Sequence, residues 1–235
     1  MSLLTIIQKT HKRVGLNSPS SAIGLTDENV VKMIEMANEE GEELSSRHRW
    51  QNLIREATHT SLATESQGLI TTIAGSDFGY ILEDTIWDRS QNRRWTPVDD
   101  TQWQQMKSSG ITGININFRI RGNYLIATPV PTAGHTIAFE WVTKNWCESS
   151  VGTGQSAWAA DTDIARIDEA LFVAGLVWRW KASQGLEYAE DFRKYEILVN
   201  DAIARDGVKG HLYMGKNNSK RFIGRDNVSE GSWSL

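Results

Sequence analysis

The chain has 235 residues, 40% of them apolar, and a net charge of −4, enough to bury a substantial core in one large domain or two modest ones. Its longest apolar run, Ala170–Trp178, falls far short of the roughly 20 residues of a membrane span. A single cysteine, Cys147, excludes an internal disulfide framework and any multi-thiolate zinc site, and the five histidines lack paired ligand spacing, so no metal or cofactor is indicated.

At the N-terminus Leu3, Leu4, Ile6 and Ile7 precede a basic patch, which inverts the order of a signal peptide and predicts a protein retained in the cell that makes it. Leu3, Ile6, Ile7 and Val14 share one side of a short amphipathic helix over residues 3–14, stopped by Gly15. After the loop LNSPSSAIG, Thr26-Asp27-Glu28 starts a second helix. Its seam of Val30, Ile34, Ala37, Gly41, Leu44 and His48 predicts a helix continuing to about Arg55. The acids Glu39, Glu40, Glu42 and Glu43 surround that seam. As a glycosidase-type acid pair they are poorly placed, because neighbours on one helix point in different directions, so a solvated or interface face is the better reading.

From Thr58 to about Cys147 glycine, threonine, tryptophan and period-two alternation replace the helical pattern. Ile114, Ile116, Phe118 and Ile120 face one way, the turn Arg121-Gly122-Asn123 follows, and Tyr124–Ala127 returns, which reads as a β-hairpin. Ile137, Phe139 and Trp141 alternate through a further strand. Leu69–Ile73 and Tyr80–Trp87 are additional strand candidates, and Asp100–Ser108 is a short helix after Pro97. The clusters Arg47-His48-Arg49-Trp50 and Arg93-Arg94-Trp95 mix basic and aromatic residues as single-strand binders do, although such clusters are common on ordinary surfaces. Gly152-Thr153-Gly154-Gln155-Ser156 lacks the third glycine of a dinucleotide loop and the lysine of a P-loop, and is read as a connector.

A helix apolar over a wide arc is expected from Asp161 to Lys181, carried by Ile164, Ile167, Leu171, Ala174 and Trp178 and closed by Gly185. Such a helix needs neighbours on two sides. A second helix with Tyr188, Phe192, Tyr195, Val199 and Ala202 on one stripe ends at Asp206-Gly207, making an αα-hairpin. The expected fold is mainly α. A four-helix-type bundle is built from residues 1–57 and 154–206, a β-rich insert spans 58–153, and an extended arm covers 207–235. The arm carries a net charge of +3 against −7 for the rest, with isolated apolar and aromatic anchors among glycines and polar residues. That composition points to a segment that becomes ordered on another subunit.

Four stretches carry a resemblance to a known family: LLTIIQKTHKRVGL with SPSS after it, ANEEGEELSSRHRWQNLIREAT, FRIRGNYLIATPVPTAGHTIAFEWVTKNW, and LVWRWKASQGLEYAEDFRKYEILVNDAIARDG. Over about residues 3–207 the chain resembles the head-to-tail adaptor (tail accessory, or head completion) proteins of short-tailed phages. The resemblance implies a virion protein at the head-tail junction, made in the host cytoplasm. Its copies would form a ring, a dodecamer in similar proteins, under the portal protein, extend the DNA channel and receive the tail nozzle and, in some, a tail fibre. It also implies an arm inserted into portal clefts, which in this chain places His211, Tyr213, Phe222 and Trp233 as anchors. Lys209, Lys220, Arg221 and Arg225 would then face acidic portal surface. An acidic body suits a conduit through which DNA only passes, making Glu39, Glu40, Glu42 and Glu43 an expected channel-facing surface. No enzymatic activity is expected. The alternative is a tail-associated peptidoglycan hydrolase, against which stands the lack of a recognisable acid pair, Cys/His pairing or zinc ligands. An independent nucleic-acid-binding regulator would call for a basic folded domain, which this acidic body does not offer.

Overall fold

A computed structural model describes residues 2–110, 113 and 115–207. Two helices open the chain, α1 (Leu3–Val14) and α2 (Glu28–Arg47). Then come β1 (Ile54–Thr60), β2 (Ser66–Leu69), α3 (Ile70–Ala74), β3 (Phe78–Ile81), β4 (Trp87–Asp88), β5 (Arg93–Arg94), β6 (Thr96–Pro97) and α4 (Asp100–Ser109). Strands β7 (Asn117–Arg121), β8 (Tyr124–Thr128), β9 (Thr136–Thr143), β10 (Cys147–Glu148), β11 (Gly154–Gln155) and β12 (Ile164–Ala165) lead to α5 (Glu169–Ser183) and α6 (Ala189–Arg205).

Local signals set most helix ends. The Asp27 carboxylate accepts from the N–H groups of Asn29 and Val30 at the start of α2, and the Asp99 carboxylate caps α4 through Gln102. Gly15 ends α1 in the left-handed conformation, where its N–H donates to His11 O. Gly185 does the same after α5: its N–H reaches Ala182 O and that of Leu186 reaches Lys181 O, so the chain reverses into α6.

The helical core is organised around α5. Helices α1, α2 and α6 all pack on it, whereas α1 and α6 make no comparable contact with each other. Leu171, Phe172, Val173, Leu176 and Trp180 of α5 join Leu3, Ile6 and Ile7 of α1, Val30, Met33 and Leu44 of α2, and Tyr195 and Val199 of α6. The neighbours that the wide apolar arc demanded are thus three helices set around one, not a square of four.

The middle of the chain folds into two facing sheets. In the first, β9 is central. Strand β1 runs antiparallel along one edge from Ile54↔Val142 to Thr60↔Thr136, and β3 and β4 share the other edge, with β5 outside β4. The second has the order β2-β8-β7-β6, with β6 parallel to β7. Between them lie Trp95, Phe118, Leu125, Ile137, Phe139 and Trp141. The hairpin β7-β8 turns at Gly122-Asn123, both at positive φ, as the twist-matching two-residue turn requires. Strand β9 joins the two cores, since Trp141 packs among the sheets while Val142 belongs to the helical cluster.

Several expectations are corrected. The chain is not a mainly α four-helix bundle: among the described residues six α-helices and three sheets, at 42% helix and 23% strand, make it a mixed α/β fold. Helix α2 stops at Arg47 rather than about Arg55, because Ile54 onward pairs with β9, a partner 76 to 88 residues away that periodicity does not report. Leu69–Ile73 is mostly the short helix α3, and Tyr80–Trp87 is divided between β3, a 3-10 turn and β4. Helix α5 begins at Glu169, not Asp161. Ile164, counted as the first residue of its stripe, instead pairs in β12 with Glu148 of β10. Asp161 and Asp163 are loop organisers: Asp161 accepts from Ser21 Oγ and the N–H groups of Ala22 and Ile23, and Asp163 from those of Ala159 and Ala160. Their backbone carbonyls receive the N–H groups of Leu4 and Leu3, so this loop also closes the start of α1.

Candidate functional site

The acidic run of α2 shows how the body is held together. Successive helical residues are rotated by about 100°, so Glu39, Glu40, Glu42 and Glu43 do not share one surface. Glu40 is wholly buried. It lies against Gly175 of α5, where an added Cβ would come within 2.3 Å of its carboxyl carbon, so the glycine is what makes room for it. Next to it, Gly41 lets the Trp146 ring approach so closely that a Cβ there would sit 2.5 Å from the indole.

Two donors meet the Glu40 carboxylate: Tyr195 Oη of α6 at 2.5 Å and Arg179 Nε of α5 at 2.7 Å. Arg179 continues through Nη2 to Glu43, with Glu39 3.7 Å from its Nη1. Glu43 also receives Arg47, whose Nη1 reaches Glu196 of α6 at 2.7 Å. The Arg47 guanidinium lies 5.4 Å from the Tyr195 ring centre. Three helices are thereby tied by one chain of charge-assisted bonds.

The two central carboxyls are shifted in opposite directions. Burial pushes Glu40 above the usual carboxylate range, against the pull of Tyr195 and Arg179. Burial also pushes on Glu43, but Arg47 and Arg179 outweigh it and hold that carboxyl below its ordinary value. Tyr195 is raised by burial and by the neighbouring Glu40 charge. A raised and a lowered carboxyl side by side is the pattern of an acid/base pair. Here Glu40 has no exposed surface and both its oxygens are engaged, so the pair works as a clamp.

Of the expected channel-facing acids, Glu40 is therefore corrected to an interior position. Glu39 and Glu42 are exposed, and Glu43 is partly covered by its arginines. The expected portal-binding residues Lys209, His211, Tyr213, Lys220, Arg221, Phe222, Arg225 and Trp233 lie outside the described residues. Their point of departure is described. The Asp206 carboxylate accepts from Gln51 N–H at 3.0 Å and lies 3.2 Å from His48 Nε2, and Gly207 follows at φ +80 against the Gln51 side chain. His48 is thus an anchor for the end of α6, set edge-on to Trp50.

The other sequence candidates take structural places. Trp50 and Trp95 are 5% and 0% exposed, so neither basic-aromatic cluster offers an indole face for base stacking. Gly154–Gln155 is strand β11, paired with β10, and Gly154 packs against Asn145 and Arg166. Cys147 is buried, its thiol pushed up to about 12 by burial, and Sγ donates to Gln155 O and Ala157 O. Sequence reading missed Arg179 and Tyr195 as partners of Glu40. The available signal was Gly175, a glycine inside an otherwise apolar helix. Among the described residues no helix is long and apolar enough to cross a membrane. No protein-family model matches the chain, and no curated protein matches it.

Proposed function

We propose that this chain is a structural virion protein, the head-to-tail adaptor of a short-tailed phage. Its copies form a ring under the portal, lengthen the DNA channel and present the attachment site for the tail nozzle or fibres. The observation that carries the reading is the anchored end of α6 at Asp206. A helical body locked by the Glu40–Arg179–Tyr195 clamp ends there, and the sequence after it is cationic with spaced aromatic residues. A sequence of that composition, opposite in charge to the body, is suited to joining an unlike partner that complements both its charge and its aromatic surface. Of the four acids from Glu39 to Glu43, Glu39 and Glu42 remain exposed, the ones that would face passing DNA.

The test is a truncation. The chain ending at Asp206 and the full chain are each mixed with portal rings, and complexes are measured by mass and by electron microscopy. The full chain is expected to add a symmetric ring of density and the truncated chain to leave portals bare. Equal decoration by both would sink the role given to the arm. Failure of the full chain to join portals would sink the adaptor reading itself.

A further inference from the structure

The sequence from Gly207 onward carries a net charge of +3 and the rest of the chain −7, so the arm is drawn to its own body before any partner arrives. Where it settles depends on which surface offers both apolar contact and spare negative charge. Among the described residues four aromatic side chains are exposed: Tyr80, Tyr124, Tyr188 and Phe192. Tyr80 lines a cleft with His48 and Arg49, whose one acid, Asp206, is engaged by His48 and Gln51. Tyr124 stands across the β7-β8 hairpin from the exposed Arg121. Neither suits a cationic segment, and Tyr188 and Phe192 remain.

These two rings flank Trp178 of α5, whose ring centre is 5.1 Å from that of Phe192 and 6.4 Å from that of Tyr188. With Leu186, 56% exposed, they form an apolar face where α5 turns into α6. An excess of acid begins beside it. The Arg179 guanidinium lies 4.8 Å from the Trp178 ring centre, and Arg179 and Arg47 between them hold the carboxyls of Glu39, Glu40, Glu43 and Glu196. Four acids thus meet two guanidiniums, and they outnumber them even with Glu40 uncharged. Glu196 follows Phe192 by one turn of α6, and Arg47 bridges it to Glu43 of α2. The other charges of this turn balance, Glu187 and Glu190 against Arg193 and Lys194, and Asp191 against Lys181.

We infer that in the free subunit this face holds the chain's own segment Lys220-Arg221-Phe222-Ile223-Gly224-Arg225. Phe222 and Ile223 lie against Leu186, Tyr188 and Phe192, and Arg221 and Arg225 reach Glu39, Glu43 and Glu196. The segment is the densest run of cations in the arm, and it encloses two adjacent apolar residues. Its distance along the chain also fits. Phe192 precedes Asp206 by 14 residues, about 21 Å at the rise of a helix. Phe222 follows Gly207 by 15 residues. A random coil of that length has an r.m.s. span of about 21 Å, and such a match gives an intramolecular contact its highest effective concentration. The nearer apolar run, Leu212-Tyr213-Met214, is at most about 25 Å from Gly207 when fully extended, which leaves little slack for turning back. The contact is superficial, since Leu186, Tyr188 and Phe192 belong to neither hydrophobic cluster, and its loss leaves both cores as they are. It concerns the subunit alone and stands or falls without a portal; in the adaptor reading the portal takes the segment away and leaves Glu39 bare.

The test is photo-crosslinking of the full chain carrying p-benzoylphenylalanine in place of Phe222, in dilute solution without portal, with products mapped by mass spectrometry. Crosslinks within one chain to residues 186–196 are expected. Glu39→Lys and Phe192→Ser, both at exposed positions, are each expected to lower their yield about threefold or more, the loss of one exposed contact. Raising the salt to about 0.5 M is expected to lower it as well, because the charges are then screened within a few ångströms. The inference is overturned if no crosslink forms, if crosslinks land elsewhere on the body or only between two chains, or if neither substitution changes the yield. Adding portal rings afterwards tests the adaptor reading separately: the crosslinks are expected to move to the portal, and portals left bare would count against that reading while the contact within the subunit stands.

Discussion

Glu40 and Gly175 are the pair of residues on which the helical body turns. Gly175→Ala places a methyl group inside the van der Waals radius of the Glu40 carboxylate, which cannot move away without losing Arg179 or Tyr195. The expected loss is about 3 kcal/mol, at the upper end for overpacking, read as a lower urea midpoint with an unchanged denaturant slope. A pH series separates the two carboxyls. Glu40 has a folded pKa above its ordinary 4.5, so its contribution is most favourable below that value and is lost as pH rises through the raised one. Glu43 has a depressed pKa, so its contribution is present above 4.5 and is lost as pH falls through the depressed value. Relative to the parent, Glu40→Gln is therefore expected to fare better at pH 7 than at pH 4, and Glu43→Gln worse. Urea melts of the three proteins at both pH values check the signs, and the same sign for both variants would contradict the opposed shifts.

Among the elements, α1 and the loop after it are held largely from elsewhere in the chain. Asp161 accepts three bonds from Ser21, Ala22 and Ile23, and the loop it belongs to closes the start of α1. Asp161→Ala strands the N–H groups of Ala22 and Ile23 and is expected to cost about 1–3 kcal/mol at pH 7. The Asp161 carboxyl is held below its ordinary 3.8 because its three hydrogen bonds outweigh the upward push of burial. The parent thus gains this stabilisation above 3.8 and loses it as pH falls through the depressed value, so the gap between parent and variant narrows in acid. Hydrogen exchange would register the change first in residues 16–25. Elements with local punctuation were legible beforehand: α1 with Gly15, α2 with Asp27, and the hairpin at Gly122-Asn123. The start of α5 was misread because Asp161 and Asp163 look like first-turn acids of a helix, whereas their carboxylates satisfy loop N–H groups.

For the molecule as a whole, both hydrophobic clusters among the described residues draw on residues 3–203. If the arm serves a partner as proposed, truncation after Asp206 is expected to leave the thermal midpoint and the far-ultraviolet dichroism unchanged while portal joining is lost. A large drop in midpoint would mean that the arm is part of the body's own core. The mixed α/β architecture escaped sequence reading for a definite reason. Strand β9 was recognised by its alternation, yet its partners β1, β3 and β4 come from residues 54–88, and alternation carries no information about which distant strand lies alongside. The site was legible to a smaller extent. The four acids Glu39, Glu40, Glu42 and Glu43 stood out as a cluster, but their separation into one buried, one partly covered and two exposed carboxyls depends on Gly175 and Arg179, more than 130 residues later.

What the sequence determined by itself was local: both ends of α1, the start of α2, the stops of α5 and α6, the two-residue turn, the alternation of β7 to β9, and the concentration of positive charge after Gly207. These follow from hydrogen bonding and sterics within a few residues. The tertiary structure alone decided that three helices surround α5, that β9 joins two cores, and that Glu40 points inward. Each of these requires groups far apart in the chain to fill one another's space and to satisfy one another's charge, and short-range periodicity contains no term for that.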